Sequence, residues 1–577
     1  VIQPNRHSAL LLEAVSQPGL SPFTQRKRYC FRPAKGGSGA CCLVVKLLVI
    51  VCLSAFPIVM GCGDRDSAES KTKMNEVSTS VPNGSGAAIG TPKDKKPASQ
   101  TPSAEPEVLF KGWPEPAVAI LVTGEQFGYL EPCGCSANQD GGIARRDNLI
   151  QKIKDRKWKT TALDLGGMIK RNRDQTHLKF QTSLNAMRDM GYQVLGLGPE
   201  ELRLGADRIL SLHTVDPDDP ASNLTFVCAN VILYQTRKID AAPKQFKIID
   251  IDGFKIGVTA ILGSTLKRRV LPEGKDTVEI TIEDPKAVLP DVLKSLKQQQ
   301  PDLLVLLSHA TFEESKRLAA RFPDFNLVIS AGGPEHPLAD NPIQIGKTML
   351  ATAGHKGTYA GVVGVYPDDQ KQPLRFELVK LDAKRFQDSP RMIEHMRVYQ
   401  DMLRDQEIAV NEATNLAIAH SNGANYVGAE KCGECHTKAF EIWKKTPHAN
   451  AYESLITGRE EVKDRWVSRI YDPECLSCHV TGWHPQDVVP YKTGFVSKKA
   501  TPHLLGNQCE NCHGPGSEHV RLIDDGNEAK AKPLMRVTLQ QAKDKLCYTC
   551  HDLDNDPHFG AETFQEYWEK IVHPGLD

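Results

Sequence analysis

Cys432-Gly-Glu-Cys435-His436, Cys475-Leu-Ser-Cys478-His479, Cys509-Glu-Asn-Cys512-His513 and Cys547-Tyr-Thr-Cys550-His551 recur within the last quarter of a 577-residue chain. Cys-x-x-Cys-His is the pattern of c-type haem attachment: both thiols form thioethers to the porphyrin and the adjacent imidazole ligates the iron. At this chain's Cys and His frequencies, chance supplies on the order of one-hundredth of a match. Four copies predict four covalently bound haems c on His436, His479, His513 and His551. Residues 427–577 cannot build a conventional core around four porphyrins, so the macrocycles must supply most of the buried apolar surface. A mainly α region of short helices and irregular loops is expected there.

Upstream, the chain is long enough for at least one more domain. Lys+Arg 71 against Asp+Glu 71 leaves no net charge, which removes any global electrostatic case for nucleic acid as a partner. Of 16 cysteines, eight lie in the four motifs and five before residue 63, a distribution unlike a disulfide scaffold. Residues 1–62 read as a leader: a basic stretch, an apolar run from Leu43 to Met60, then Gly61-Cys62. That order is the pattern of a secretory signal ending in a bacterial lipoprotein site, with Cys62 as the lipidated residue; an uncleaved anchor and plain secretory cleavage are the alternatives. Export to the periplasm or cell surface, tethered to a membrane, agrees with c-type haem attachment. Residues 63–108 are rich in Ser, Thr, Pro, Lys and Gly and read as a disordered linker.

Residues 109–385 alternate apolar runs of strand length (Ala117–Val122, Thr161–Leu165, Val194–Leu197, Leu224–Cys228, Phe246–Ile251, Lys255–Ile261, Leu303–Leu307, Leu327–Ile329, Gly361–Tyr366) with amphipathic stretches such as Ala144–Arg156 and Pro285–Gln299. The alternation predicts an α/β layered domain. Gly141-Gly142 followed by Arg145-Arg146 opens a helix whose N-terminus favours anions, or presents a solvated face. Residues 386–426 read as one long helix linking the two domains, its methionines serving as packing.

Leu121-Val122-Thr123, Gly141-Gly142-Ile143-Ala144-Arg145, Asp164-Leu165-Gly166-Gly167, Gly198-Pro199-Glu200-Glu201 and Ser308-His309, in that order, resemble the motif blocks of the calcineurin-like metallophosphoesterase domain of secreted 5′-nucleotidases. The resemblance implies a two-metal site, but where that family has Asp-x-His this chain has Glu125-Gln126-Phe127. Its bridging Asp is Gly167, and its Asn-His pair is Pro199-Glu200. Gly and Pro supply no ligand. Glu125, Glu200, Glu201, His309 and His336, with His355 as a weaker candidate, are what is left to hold a divalent metal. The expectation is a domain without hydrolase activity; the alternatives are a metal-dependent phosphoesterase and a redox enzyme acting at a five-coordinate haem. Cys133 and Cys135 form a thiol pair that could bind a soft metal, link to one another, pair with Cys228, or have no catalytic role.

Trp443-Lys-Lys-Thr446-Pro-His448 and Thr501-Pro-His503 leading to Cys512-His513-Gly514-Pro515-Gly516-Ser517-Glu518-His519 resemble the cytochrome c-554 type of tetrahaem cytochromes. The resemblance implies electron transfer with redox partner proteins, and His448 and His519 as distal iron ligands. His558, His503 and His484, and with less claim His573, are further candidates for the distal positions.

Overall fold

The computed structural model describes residues 108–132, 139–213 and 224–574. The leader with Cys62, nearly all of the linker, and Cys133 and Cys135 lie outside the described residues. No helix among the described residues is long and apolar enough to cross a membrane.

Two six-stranded sheets form the α/β part. The first has the order β14-β13-β1-β2-β3-β4, from Leu374–Lys380, Tyr359–Val365, Val118–Thr123, Thr160–Asp164, Tyr192–Gly196 and Thr225–Val227. The second runs β11-β12-β10-β9-β7-β6, from Ile343–Ile345, Thr348–Ala351, Leu327–Ser330, Leu303–His309, Phe254–Leu262 and Phe246–Ile251. A small ladder pairs β5 (Val231–Leu233) with β8 (Ile280–Ile282). β1 to β4 are mutually parallel, as are β7, β9, β10 and β12, while β6, β11, β13 and β14 pair antiparallel at the margins. All nine expected strands are present; β11, β12, β14 and the small ladder were not anticipated.

Alternation along the strands builds the layers. Val118, Ile120 and Val122 of β1 meet Val258 of β7 and Val305 and Leu307 of β9 between the sheets. The other face of β1, with Ala119 and Leu121, packs beneath α1 (Ile143–Asp155) and α2 (Asp174–Met190). α6 (Pro285–Gln298) and α7 (Phe312–Arg321) cover the second sheet with Leu289, Leu293, Leu296 and Leu318. Short helices α3 (Pro199–Leu202), α4 (Ala206–Leu212) and α5 (Lys267–Val270) complete the α/β part. The result is four layers, helix, sheet, sheet, helix.

The single linking helix is corrected to two, α8 (Pro390–Asp405) and α9 (Ile408–Asn415). Glu407 at φ 50° turns the chain between them. α8 is part of the first domain's packing: Met392, Met396, Tyr399 and Leu403 are buried with α1 and α2. The C-terminal region is mainly short helices, including Ala429–Gly433, Thr437–Trp443, Ala451–Thr457, Pro473–His479, Cys509–His513, Ser517–Asp524 and Phe564–Glu569, with one two-stranded hairpin. Its own apolar clusters are small, centred on Leu476, Trp483 and Phe495, and on Phe559 and Phe564.

Glu412 on α9 is buried and neither of its carboxylate oxygens has a hydrogen-bond partner among the described residues. Arg173 stands 3.9 Å away. Burial pushes the Glu412 carboxyl up from 4.5 to about 7, so ionising it costs the native state as pH rises through that interval. Glu412→Gln is therefore expected to exceed the wild type in stability at pH 8 by roughly 1–2 kcal/mol. The gap should close as pH falls below the unfolded value. Urea denaturation at pH 8 and pH 4 checks both.

Candidate functional site

The four motifs sit in or beside helices. Helix Pro473–His479 carries the second, helix Cys509–His513 the third, Ala429–Gly433 the start of the first, and a tight turn at Cys547–Thr549 the fourth. Cys432 and Cys509 come within hydrogen-bonding reach of one another, as do Cys478 and Cys550.

An imidazole nitrogen binds a transition metal at about 2 Å, so two imidazoles on opposite sides of one iron have ring centres roughly 6 Å apart. Three such pairs are present: His436 with His519 at 6.3 Å, His448 with His551 at 6.0 Å, and His513 with His573 at 6.0 Å. The Nδ1 atoms of four haem-region histidines are held elsewhere, which leaves Nε2 for metal. His513 Nδ1–H donates to the Met535 carbonyl at 2.5 Å, His479 to that of Ala451 at 2.7 Å, and His519 to that of Ala531 at 3.1 Å. His551 Nδ1–H donates to the Asp556 carboxylate at 2.9 Å. Burial, with His551 and His479 nearby, pushes His448 down to about 4, so its imidazole is neutral, the form that ligates. The residues present fit haem c at these positions.

His573 was the weakest of the candidates, and nothing in its His-Pro context marks it; only the tertiary fold brings it to His513. Among the described residues, His484, His503 and His558 have no ring contact with a motif histidine. His484 Nδ1 accepts from the Asp487 N–H at 3.2 Å, while His503 and His558 are exposed.

One buried carboxylate fixes much of this geometry. Glu510, inside the third motif, accepts N–H bonds from Val427 at 2.9 Å, Gly428 at 2.8 Å and Gly516 at 2.7 Å. Gly428 caps the helix of the first motif and Gly516 caps the helix bearing His519. Both imidazoles of the first pair thus hang from a side chain of the third motif. Nearby, Trp443 Nε1–H donates to the Asn507 carbonyl at 2.9 Å, and Asn507 N–H donates to the His448 carbonyl at 3.0 Å.

The α/β part holds the second and fourth motifs. Asp472 caps the Pro473–His479 helix through Glu474 N–H, and it accepts from Gln175 at 2.5 Å and Gln400 at 3.0 Å. Glu474 pairs with Arg171 at 3.0 Å and with Lys179. Asp554, three residues past His551, accepts from Tyr129 Oη–H at 2.6 Å and pairs with Lys356. Burial opposes the charge on Asp554, yet the Lys356 and Tyr129 hydrogen bonds hold its carboxyl below the usual range.

The residues left over from the phosphoesterase resemblance lie at the carboxyl ends of the parallel strands. Glu201 is fully buried and accepts from the N–H groups of Gly167 at 3.0 Å, Met168 at 2.6 Å and Gly198 at 2.8 Å. Glu200 pairs with Arg269 at 2.5 Å and stands 3.8 Å from His309 Nε2, whose Nδ1–H donates to the Leu165 carbonyl. Glu125 pairs with His355 at 3.1 Å and accepts from Gly332 N–H. His336 stands apart, its ring edge-on to Tyr359. A Cβ at Gly167, φ 78°, would meet Glu125 Cα at 3.1 Å and His309 at 3.3 Å, so a side chain there would be crowded and its backbone strained. Among the described residues, no three His, Cys, Asp or Glu side chains are grouped to hold a metal ion. Arg146 and Gln126, which the sequence did not single out as a pair, are buried here and joined at 2.9 Å. Cys228 is a free, buried thiol that burial pushes up to about 12.

Residues 431–514 match the model of the family described as Cytochrome c554 and c-prime, which implies covalently bound haem c. The chain is similar to cytochrome c-554 of Nitrosomonas europaea, 30% identical over 154 residues, covering 24% of this chain and 63% of that protein. It is also similar to dissimilatory sulfite reductase MccA of Wolinella succinogenes, 25% identical over 141 residues, covering 23% of this chain and 19% of that one. The chain therefore spans less than two thirds of the length of either relative. Similar solved structures include the 5′-nucleotidase precursor of Thermus thermophilus, with 15% identity and a TM-score of 0.42 over 52% of this chain and 61% of that one. Another is the calcineurin-like phosphoesterase YfkN of Bacillus subtilis, with 16% identity and a TM-score of 0.40 over 50% of this chain and 98% of that one. The chain has two parts, an α/β part built on two six-stranded sheets and a helical region in which residues 431–514 match the cytochrome family model.

Removing the Glu510 carboxylate would strand three buried N–H groups. Glu510→Ala is expected to lower the stability of the haem-loaded protein by about 3 kcal/mol, measured by denaturant unfolding followed at the haem absorption band.

Proposed function

We propose that this protein is an exported, membrane-tethered multihaem cytochrome that transfers electrons between redox partner proteins, carrying four haems c. The observation that carries the reading is the set of three imidazole pairs spaced for one iron each, every pair joining a motif histidine to a histidine from elsewhere in the chain. Bound haem supplies the one-electron iron couple. The chain's own residues do the rest. The motif thiols fix each macrocycle, and the paired imidazoles keep coordination nearly constant between oxidation states, which favours fast transfer.

In this proposal the α/β part is not a hydrolase but a scaffold for the second and fourth motifs. Supporting it, Glu201 is spent on backbone N–H groups, Glu200 on Arg269, and Gly167 and Pro199 offer no ligand. Lipidation at Cys62 and a periplasmic or cell-surface location belong to the same proposal and rest on the leader sequence.

A pyridine haemochrome assay on purified protein is expected to return four haems per chain; none bound covalently would overturn the reading. His519→Ala, His448→Ala and His573→Ala should each convert one haem from low-spin to high-spin in the paramagnetic-resonance spectrum. Three unchanged spectra would count against the pairs. With added Mn²⁺ or Mg²⁺, phosphomonoester hydrolysis should stay at background; turnover that disappears in His309→Ala would restore the hydrolase reading.

A further inference from the structure

Between α1 and the segment 459–469 of the cytochrome-like region lies a cleft of about 100 Å³, lined by four arginines, Arg145, Arg459, Arg465 and Arg469, and two carboxylates, Glu131 and Asp388. Such a volume holds several waters, or one tetrahedral anion. Asp388 is shared by Arg145 Nε at 3.2 Å and Arg465 Nε at 2.9 Å, and Glu131 pairs with Arg469. Two positive charges are left in excess.

The donor inventory is also incomplete. Arg469 is only 6% exposed and its Nη1 has no hydrogen-bond partner among the described residues; Arg459 Nε and Nη1 are likewise buried and unpartnered there. A guanidinium N–H buried without an acceptor costs more than a neutral one, because the charge it carries is stripped of water. Gly142 and Ala144 also line the cleft and begin α1, a helix of 13 residues. Its positive end adds to the same field.

From these observations we infer that the cleft is a binding site for a doubly charged tetrahedral oxyanion, phosphate or sulfate, free or as the terminal group of a phosphomonoester. Arg459 and Arg469 donate to it, and Arg145 and Arg465 supply charge. The anion joins the α/β part to the stretch between the first and second haem motifs. Nothing in this assignment depends on electron transfer or on the leftover phosphoesterase residues.

The test uses the full-length, haem-loaded protein with inorganic phosphate, sulfate or AMP against chloride at matched ionic strength, read by titration calorimetry and by the unfolding temperature. Phosphate should bind saturably with one equivalent per chain and raise the unfolding temperature. Arg459→Gln should weaken binding at least about tenfold, with Arg459→Lys falling between, and with haem spectra unchanged in both. Binding of AMP with similar strength assigns the terminal group of a phosphomonoester as the ligand, and exclusion of AMP assigns the free ion; either upholds the site. No saturable binding up to roughly 10 mM, or equal affinity in wild type and Arg459→Gln, overturns it. So does affinity that is lost in His309→Ala, which would place the anion among the leftover phosphoesterase residues.

Discussion

A region whose own apolar clusters are small must fix its helices by other means, and for two of them the means is Glu510. Its carboxylate, buried within the third motif, gathers the N–H groups that begin two other helices. Away from water a charge-assisted hydrogen bond is stronger, and an unmade one more expensive, than at the surface. Position is therefore set by a few directional bonds where a larger domain would use packed side chains. The apolar clusters agree with this division of labour, since they are confined to the Trp483 and Phe559 neighbourhoods.

The second and fourth motifs are anchored differently. Their polar partners come from the α/β part: Gln175, Gln400, Lys179 and Arg171 onto Asp472 and Glu474, and Tyr129 and Lys356 onto Asp554. α8 is what makes this possible. Its Met392, Met396 and Tyr399 bury against α1 and α2, while Gln400 on the same helix turns to Asp472. A covalent linker has become a packed wall between the two parts. Bonds between side chains of opposite charge that are partly desolvated resist independent motion of the two parts more than exposed pairs would.

The attachment motifs and the strand pattern were legible because each is local. Thiol spacing is read directly, and continuous apolar runs of strand length name strands buried on both faces, such as β1 and β9, without any tertiary information. β11 and β14 escaped because edge strands are half exposed and carry polar residues, as in Ile343-Gln-Ile345 and Leu374-Arg-Phe-Glu377. The break between α8 and α9 escaped because Glu407 is a residue type at home in helices, yet here it adopts a positive φ so that α9 can leave the axis of α8. The pairing of His573 with His513 and the role of Asp556 escaped for a deeper reason. Which imidazole faces His513, and which carboxylate holds His551 Nδ1–H, are set by where the chain returns in space, and single His and Asp residues carry no record of that.

The same distinction explains the α/β site. Spacing picks out Glu125, Glu200, Glu201 and His309 by resemblance alone, and only the fold shows what these side chains hold. Glu201 ties the Gly167 and Gly198 loops together through the backbone, bonds that a metal ligand could not also satisfy fully. Glu125 binds His355, and the next residue, Lys356, turns outward to Asp554 in the loop of the fourth motif. Lys356 N–H also donates to the Glu125 carbonyl at 2.9 Å. Side chains at the strand ends have thus been recruited into a continuous set of contacts that runs from Glu125 to the turn carrying His551. Linked polar contacts of this kind, partly shielded from water, fix the position of that turn against the strand ends.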